Sequence, residues 1–229
     1  MRKIDCLDHG FVRLADRMGS DLSVVRAARV SYDAVWRAGE NEANDTKLIN
    51  YLWKHKHTTP FEAVTLTFEV MAPIFVFRQW HRHRTWSYNE LSGRYKELLE
   101  VYYIPSAEIV GEQATKNKQG REPSFRDRAI ALSKVSAHCG KAFSLYRELL
   151  EDGWPRELAR MVLPLNTYSH MFGTVNLLNL FRFLSLRCDS HAQYEIRVYA
   201  DAMRELAKDV VPVCMQAWET DNERSRDAA

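Results

Sequence analysis

The chain has no CxxC pair. Its four cysteines stand at 6, 139, 188 and 214, too scattered for a zinc ribbon or a thioredoxin-type dithiol. That scatter suits a reduced, cytoplasmic chain, the thiols being packing groups. No apolar run approaches the roughly 18 residues of a membrane span; stretches such as Met71 to Phe77 are of core length only. The opening MRKIDCLDHG lacks the apolar stretch of a signal peptide. Neither GxGxxG nor GxxxxGKS/T occurs, so neither a Rossmann turn nor a P-loop is in view. No repeat and no low-complexity segment is visible. An excess of one charge is missing too. Thirty-two Lys and Arg against 30 Asp and Glu leave a formal +2, which argues against a nucleic-acid coat protein but not against a local basic site.

What is present is an ordinary globular composition. With 229 residues, 46% hydrophobic and 27% charged, the chain can bury a large core without disulfide or metal staples. One domain over residues 1–217 is expected, with a polar, frayed tail over 218–229. Residues 10–18 read as an opening strand. Ser20 or Asp21 can cap a helix through Val24, Val25 and Ala28. Residues 37–45 read as a polar loop, and Leu48, Ile49, Leu52 and Trp53 share the face of a second helix. In VTLTFEV, 64–70, apolar and polar residues alternate, the clearest strand in the chain. Pro73 suits the first position of a helix over IFVFRQWHRHR, although its apolar positions also fit a short strand. LLEVYYI, 98–104, reads as another strand. Residues 111–123, with Gly111, Gly120 and Pro123, read as a flexible loop. Ser124 with Asp127 forms a capping-box pattern before a helix that buries Leu132, Val135, Cys139, Phe143, Tyr146 and Leu149 and ends at Gly153. A short helix lies between Pro155 and Pro164, a strand over 165–175, and a helix from Asn176 to Arg187. Ser190 with Gln193 is a second capping box, opening a last helix lined by Ile196, Tyr199, Met203, Leu206 and Val210. Strands and helices mix without a βαβ rhythm, so the class is α+β.

The chemistry concentrates in QWHRHRTWSYNELSGR, Gln79 to Arg94. Arginines bring fixed, permanently charged forks. With Ser87, Ser92 and Gly93 they suit a phosphate-bearing ligand. Trp86 and Tyr88 add flat faces for stacking on a heteroaromatic ring. A solvated basic loop is the competing reading. A module for single-stranded RNA is another, against which the near-neutral charge counts. Ser92 as a nucleophile lacks a neighbouring His–Asp arrangement, which favours ring or phosphate binding. His55, His57, His81 and His83 make two HxH pairs, but no carboxylate or cysteine completes a ligand set, so no metal is expected.

RHRTWSYNELS, from Arg82 to Ser92, resembles the signature of the flavin-dependent thymidylate synthases: Arg-His-Arg, seven residues, then Ser. SDLSVVRAARVSY at 20–32, HTTPFE at 57–62, PRELARMVLPLNTYSHMFGTVN at 155–176 and LSLRCDSHAQYEIR at 184–197 resemble further blocks of that family, in order. The resemblance implies a single α+β domain with a central, mainly antiparallel sheet flanked by long helices. It implies a homotetramer whose sites form between chains. The implied reaction makes dTMP from dUMP, with methylenetetrahydrofolate as carbon donor and NADPH as reductant through bound FAD, and with no cysteine nucleophile. On the matching positions, dUMP would be held by Gln79, Arg82, Glu90, Leu91, Ser92, Gly93, Arg94, Arg160 and Arg187. FAD would touch Thr59, Arg82, His83, Arg84, Glu90 and Asn176. His57 and Glu62 would lie near flavin or folate. Arg187 would be the catalytic residue, favouring an N3-deprotonated uracil; as a guanidinium it acts electrostatically and by position.

Two positions depart from the family pattern. Arg182, in the run LFRFL, is a charged residue on a mostly apolar helix, expected to be buried against a flavin phosphate or another chain's carboxylate. Leu178 stands where a polar side chain is common. Asn176 and Arg187, eleven residues apart, should share one helix face at about 16 Å. A uracil hydroxymethylation on the same ligands stays open as a variant reaction.

Overall fold

The computed structural model describes residues 2–116, 119–122 and 124–227; Pro123 and the last two residues of the expected tail lie outside them. The strands are β1 (Lys3–Cys6), β2 (Gly10–Met18), β3 (Thr65–Pro73), β4 (Ser87–Glu90), β5 (Glu112–Gln113), β6 (Arg121–Glu122) and β7 (Tyr168–Asn176). Five of them form one antiparallel sheet in the spatial order β1-β2-β3-β7-β4. The short pair β5–β6 stands apart from it. The helices are α1 (Asp21–Arg29), α2 (Glu42–Lys54), α3 (Ile74–Trp80), α4 (Arg128–Glu151), α5 (Arg156–Ala159), α6 (Leu177–Arg187), α7 (Tyr194–Lys208) and α8 (Pro212–Asp227). The expected α+β class and antiparallel sheet are what the chain forms.

Alternation in β3 sorts its side chains. Leu66, Phe68, Val70 and Ala72 are fully buried on the face covered by helices. On the other face Glu69 is buried only because Arg13 Nε donates to it at 2.7 Å and His170 Nε2 lies 2.9 Å from it. That outer face keeps Phe172 at 39% exposure. Tyr199 of α7 reaches back to the sheet, donating to the Met71 carbonyl at 3.0 Å. Gly10 makes room for it: a Cβ there would stand 2.0 Å from the tyrosine oxygen.

Several expectations need correction. Residues 98–104 form no strand, only a bridge between Tyr102 and Thr167. Leu99 is 68% exposed, so the apolar run does not alternate between core and solvent. Helix α2 starts inside the expected polar loop, because the Asn41 side chain caps it by accepting from Asn44 N at 3.0 Å. Pro73 precedes α3 rather than opening it, and α3 stops at Trp80, short of His81–Arg84. Neither expected capping box forms. Ser124 donates to Glu112 instead, at 3.2 Å, and Gln193 turns its side chain toward Glu195. The expected flexible loop carries the β5–β6 pair. Val135 is 43% exposed rather than buried. The helix α8 continues past the expected final helix. Trp218, assigned by composition to the polar tail, is 2% exposed and stacks on Phe181 with centroids 5.8 Å apart.

Candidate active site

The segment after α3 turns back on itself to enter β4. Trp86 is buried at 6% exposure, parallel to Tyr88 and edge-on to Trp80. Gly173 opposite makes room, since a Cβ there would lie 3.2 Å from the Trp86 ring. The Tyr88 hydroxyl donates to the His83 carbonyl at 2.8 Å. These two aromatic rings therefore form the floor of the turn and are not open for stacking on a ligand, contrary to the sequence expectation. They hold the backbone from which His81, Arg82, His83 and Arg84 project.

At the C-terminal end of α6, Arg187 is half-buried. Its Nε donates to His83 Nε2 at 3.0 Å, and its Nη2 to the Gln79 carbonyl at 3.4 Å. An imidazole nitrogen that accepts must be unprotonated, so His83 carries its proton on Nδ1. Burial first, then the neighbouring guanidinium, lower the His83 pKa to about 4. Burial also lowers the Arg187 pKa from its ordinary value, yet a guanidinium remains charged at neutral pH. The result is a fixed cation beside a neutral imidazole, with Nη1 uncommitted among the described residues.

The loop after β4 gathers the other nucleotide candidates. Glu90 accepts from the Ser169 hydroxyl at 2.7 Å and lies 3.9 Å from His81. Tyr95 N and Lys96 N both donate to the Ser92 carbonyl, closing a tight turn. Ser92 Oγ accepts from Arg94 N at 3.3 Å, and among the described residues no histidine base stands against it. Gly93 is buried under Arg160: a Cβ would stand 3.1 Å from the arginine Cδ. Arg94 pairs with Glu157 at 3.2 Å. Leu91 is 39% exposed at the edge of this loop. So the structure brings together Gln79, His83 and Arg187 in one cluster, and Glu90, Leu91, Ser92, Gly93, Arg94 and Arg160 in a second, joined by the turn 81–90.

Other candidates lie elsewhere in the chain. Thr59 and His57 line a cavity of about 570 Å³ with Arg29, Tyr32 and Tyr51; Glu62 is exposed nearby in the chain. Asn176 caps α6, accepting from Asn179 N at 2.9 Å. The turn holding Thr59 packs on this N-terminal half of α6, with Leu177 N donating to Val64 O and Phe61 against Phe181. Arg182 is exposed, not buried, and donates to Asn179 Oδ1 at 3.0 Å; on this amphipathic helix it falls on the solvent side. Leu178 is buried at 4% exposure, in keeping with an apolar side chain there.

The donor set suits a dinucleotide with a pyrophosphate. Arg82 and Arg84 are exposed, and their guanidinium groups meet no hydrogen-bond or ion-pair partner among the described residues. Among those residues the histidine pairs do not converge on a metal: His55 and His57 face Tyr51, while His81 and His83 serve different neighbours. All four cysteines are buried, and burial pushes the Cys6 thiol up to about 12. Sequence reading missed Gln193, Glu195, Tyr103 and Arg121, which adjoin the first cluster. For Gln193 and Glu195 the signal was that HAQYE sits inside a family-like block; Tyr103 and Arg121 lie outside every such block.

Comparison with known proteins gives the same direction. The family model described as "Thymidylate synthase complementing protein" matches residues 13–213. A flavin-dependent thymidylate synthase of Thermus thermophilus is 49% identical over 217 residues, covering 94% of this chain and 78% of its own. One of Thermotoga neapolitana is 45% identical over 216 residues, covering 94% of each. The crystal structure of a UMP/dUMP methylase, PolB, from Streptomyces cacaoi bound with 5-Br dUMP superposes with a TM-score of 0.85 at 36% identity, covering 95% of this chain and 97% of that one. Because the matched span takes in both residue clusters and their supporting elements, the chain belongs to the flavin-dependent thymidylate synthase family.

Proposed function

We propose that this chain converts dUMP to dTMP, taking the carbon from methylenetetrahydrofolate and the reducing equivalents from NADPH through bound FAD. The observation that carries this reading is the held guanidinium of Arg187. A uracil ring is a poor carbon nucleophile until negative charge develops on it. A cation fixed before the ligand arrives favours the N3-deprotonated form and so raises electron density at carbon 5. His83 contributes by accepting one Arg187 N–H, which aims the remaining donors. Gln79, Arg82, Glu90, Leu91, Ser92, Gly93, Arg94 and Arg160 hold the nucleotide, the arginines meeting its phosphate and Gly93 letting the backbone approach. Thr59, Arg82, His83, Arg84, Glu90, Asn176 and, at the surface, Arg182 hold FAD. The flavin, held there, would supply the redox chemistry between reductant and nucleotide.

Asn176 opens α6 and His83 sits against Arg187 at its other end, so the FAD-assigned residues spread over about 16 Å within one chain. A homotetramer with sites shared between chains is supported by the partly exposed outer face of the sheet, where Phe172 keeps 39% exposure. The catalytic domain includes α8, because Trp218 packs in its core, and the protein works in the cytoplasm without nucleic-acid or membrane partners. Among the described residues no helix is long and apolar enough to cross a membrane.

The test is the absorption spectrum of purified protein with and without NADPH and dUMP, followed by product mass. A bound flavin, bleached faster by NADPH when dUMP is present, and a product with the mass of dTMP are expected. Well-folded protein that binds no flavin would sink the reading. A product with the mass of the hydroxymethyl nucleotide would replace the reaction while keeping the ligands.

A further inference from the structure

Gln79 is held twice. Its backbone carbonyl accepts from Arg187, and its side-chain Nε2 donates to Oε1 of Gln193. Gln193 stands just before α7, and its own Nε2 donates to Oε2 of Glu195 at 2.8 Å. Glu195 is 3% exposed. Its carboxylate accepts from Arg121 at 3.0 and 3.1 Å and from the Tyr103 hydroxyl at 3.3 Å. The four residues Gln193, Glu195, Tyr103 and Arg121 adjoin the first cluster but are assigned to neither the nucleotide nor FAD.

The order of groups sets a direction. A carboxylate paired with an arginine offers only acceptors. Gln193 must therefore turn its NH₂ toward Glu195 and its carbonyl toward Gln79. Gln79 must answer with its own NH₂, which leaves its carbonyl oxygen for a ligand. A chain of neutral amides could reverse as a whole at little cost; the buried anion forbids the reversal. We propose that Gln193 and Glu195 are positioning residues that fix the orientation of Gln79, so that it presents an acceptor to a hydrogen-bond-donating group of the nucleotide. This rests on the reading of Gln79 as a nucleotide contact.

Substitution can run the relay backwards. In Glu195→Gln, the new carboxamide keeps its oxygen toward Arg121 and Tyr103 and turns its NH₂ toward Gln193. Gln193 then accepts there and donates to Gln79, which flips and offers NH₂ to the ligand. Adding Gln193→Glu restores an acceptor-only group in the middle. That carboxylate accepts from both neighbours, and Gln79 returns to its original orientation. A merely structural role for Glu195, as partner of Arg121, predicts the opposite, because the buried ion pair stays lost in the double variant.

The experiment measures dUMP affinity by calorimetry on the flavin-loaded protein, with KM and kcat for dTMP formation alongside. Glu195→Gln should raise Kd and KM for dUMP about tenfold, the equivalent of one misdirected hydrogen bond, with a smaller change in kcat. The double variant should return to within about threefold of the parent. An unchanged Kd in Glu195→Gln, or a double variant no tighter than the single, overturns the relay. If Glu195→Gln does not fold, Gln193→Leu removes the middle link; it should weaken dUMP similarly, and unaltered binding overturns the proposal. A parent that binds no dUMP overturns the functional reading itself and this inference with it, whereas a binding parent with unmoved variants overturns only the relay.

Discussion

The middle and the C-terminal end of α6 carry the same kind of side chain in opposite conditions. Halfway along it Arg182 is exposed and donates to Asn179, whose backbone N–H in turn donates to the capping oxygen of Asn176. At the C-terminal end Arg187 is half-buried and fixed by a ring nitrogen and a carbonyl. A guanidinium in water is free to follow any ligand, and it loses orientation entropy when it does so. One held by two acceptors has lost that entropy on folding. The contrast teaches that the chain completes its electrostatic arrangement around Arg187 and leaves that around Arg182 to be completed by whatever binds there.

The sharpest way to break the comparison is Arg187→Ala. Turnover should fall by about 10² or more, as for loss of one preorganised electrostatic group, while flavin stays bound. Unchanged dTMP formation would remove Arg187 from the reaction. Arg187→Lys should recover little, because an ammonium cannot reproduce the fork that meets both His83 and Gln79. Next in size is Arg82→Ala, which should weaken both dUMP and FAD by about tenfold each, read by titration of the two ligands separately. Weakening of one alone would reassign that position.

A pH experiment sharpens the same contrast. His83 has its pKa lowered on folding to about 4, so the folded state resists a proton that the unfolded chain accepts near 6.5. Its neutral form is at no disadvantage above pH 6.5. Below it, stability falls as pH drops toward 4 and then levels off. His83→Gln should flatten that part of the melting-temperature profile; a profile unaltered by the substitution would show that His83 does not titrate there. At the other end, Asn176→Ala should cost about 1 kcal/mol by loss of the cap, seen in chemical denaturation. Arg182→Ala is the smallest effect, within about 0.5 kcal/mol in stability, and any loss of FAD affinity should be modest.

Legibility in the sequence followed local rules. β2 was read at its observed bounds, though as the opening strand when β1 precedes it; β3 was legible through its alternation, α1 through Ser20 before an apolar face, and the end of α4 through Gly153, whose φ is +87°. β4 was not, because its partner β7 lies some eighty residues on and its two aromatics resemble a ligand platform as much as a packed floor. Both expected capping boxes were decoys: Asp127 adopts φ +52°, and Gln193 answers to Glu195 rather than to Ser190. In the site, the motif from Arg82 to Ser92 announced itself. The grip of His83 on Arg187 did not, since they are 104 residues apart and nothing local encodes the meeting. Arg182 misled because an arginine among leucines and phenylalanines suggests burial, while helical periodicity turned it outward.

Trp218 gives the C-terminal helix a longer reach than its sequence position suggests. Its indole stacks on Phe181 and donates to Ser185 Oγ at 3.0 Å, on the helix that ends two residues later at Arg187. An exopeptidase trimming the chain from its C-terminus would remove mostly polar residues until it met this one ring. Activity and melting temperature, followed together during such a digestion, should part company at residue 218: the aim of the guanidinium should loosen before the fold does. Trp218 thus braces, from α8, the helix that carries Arg187.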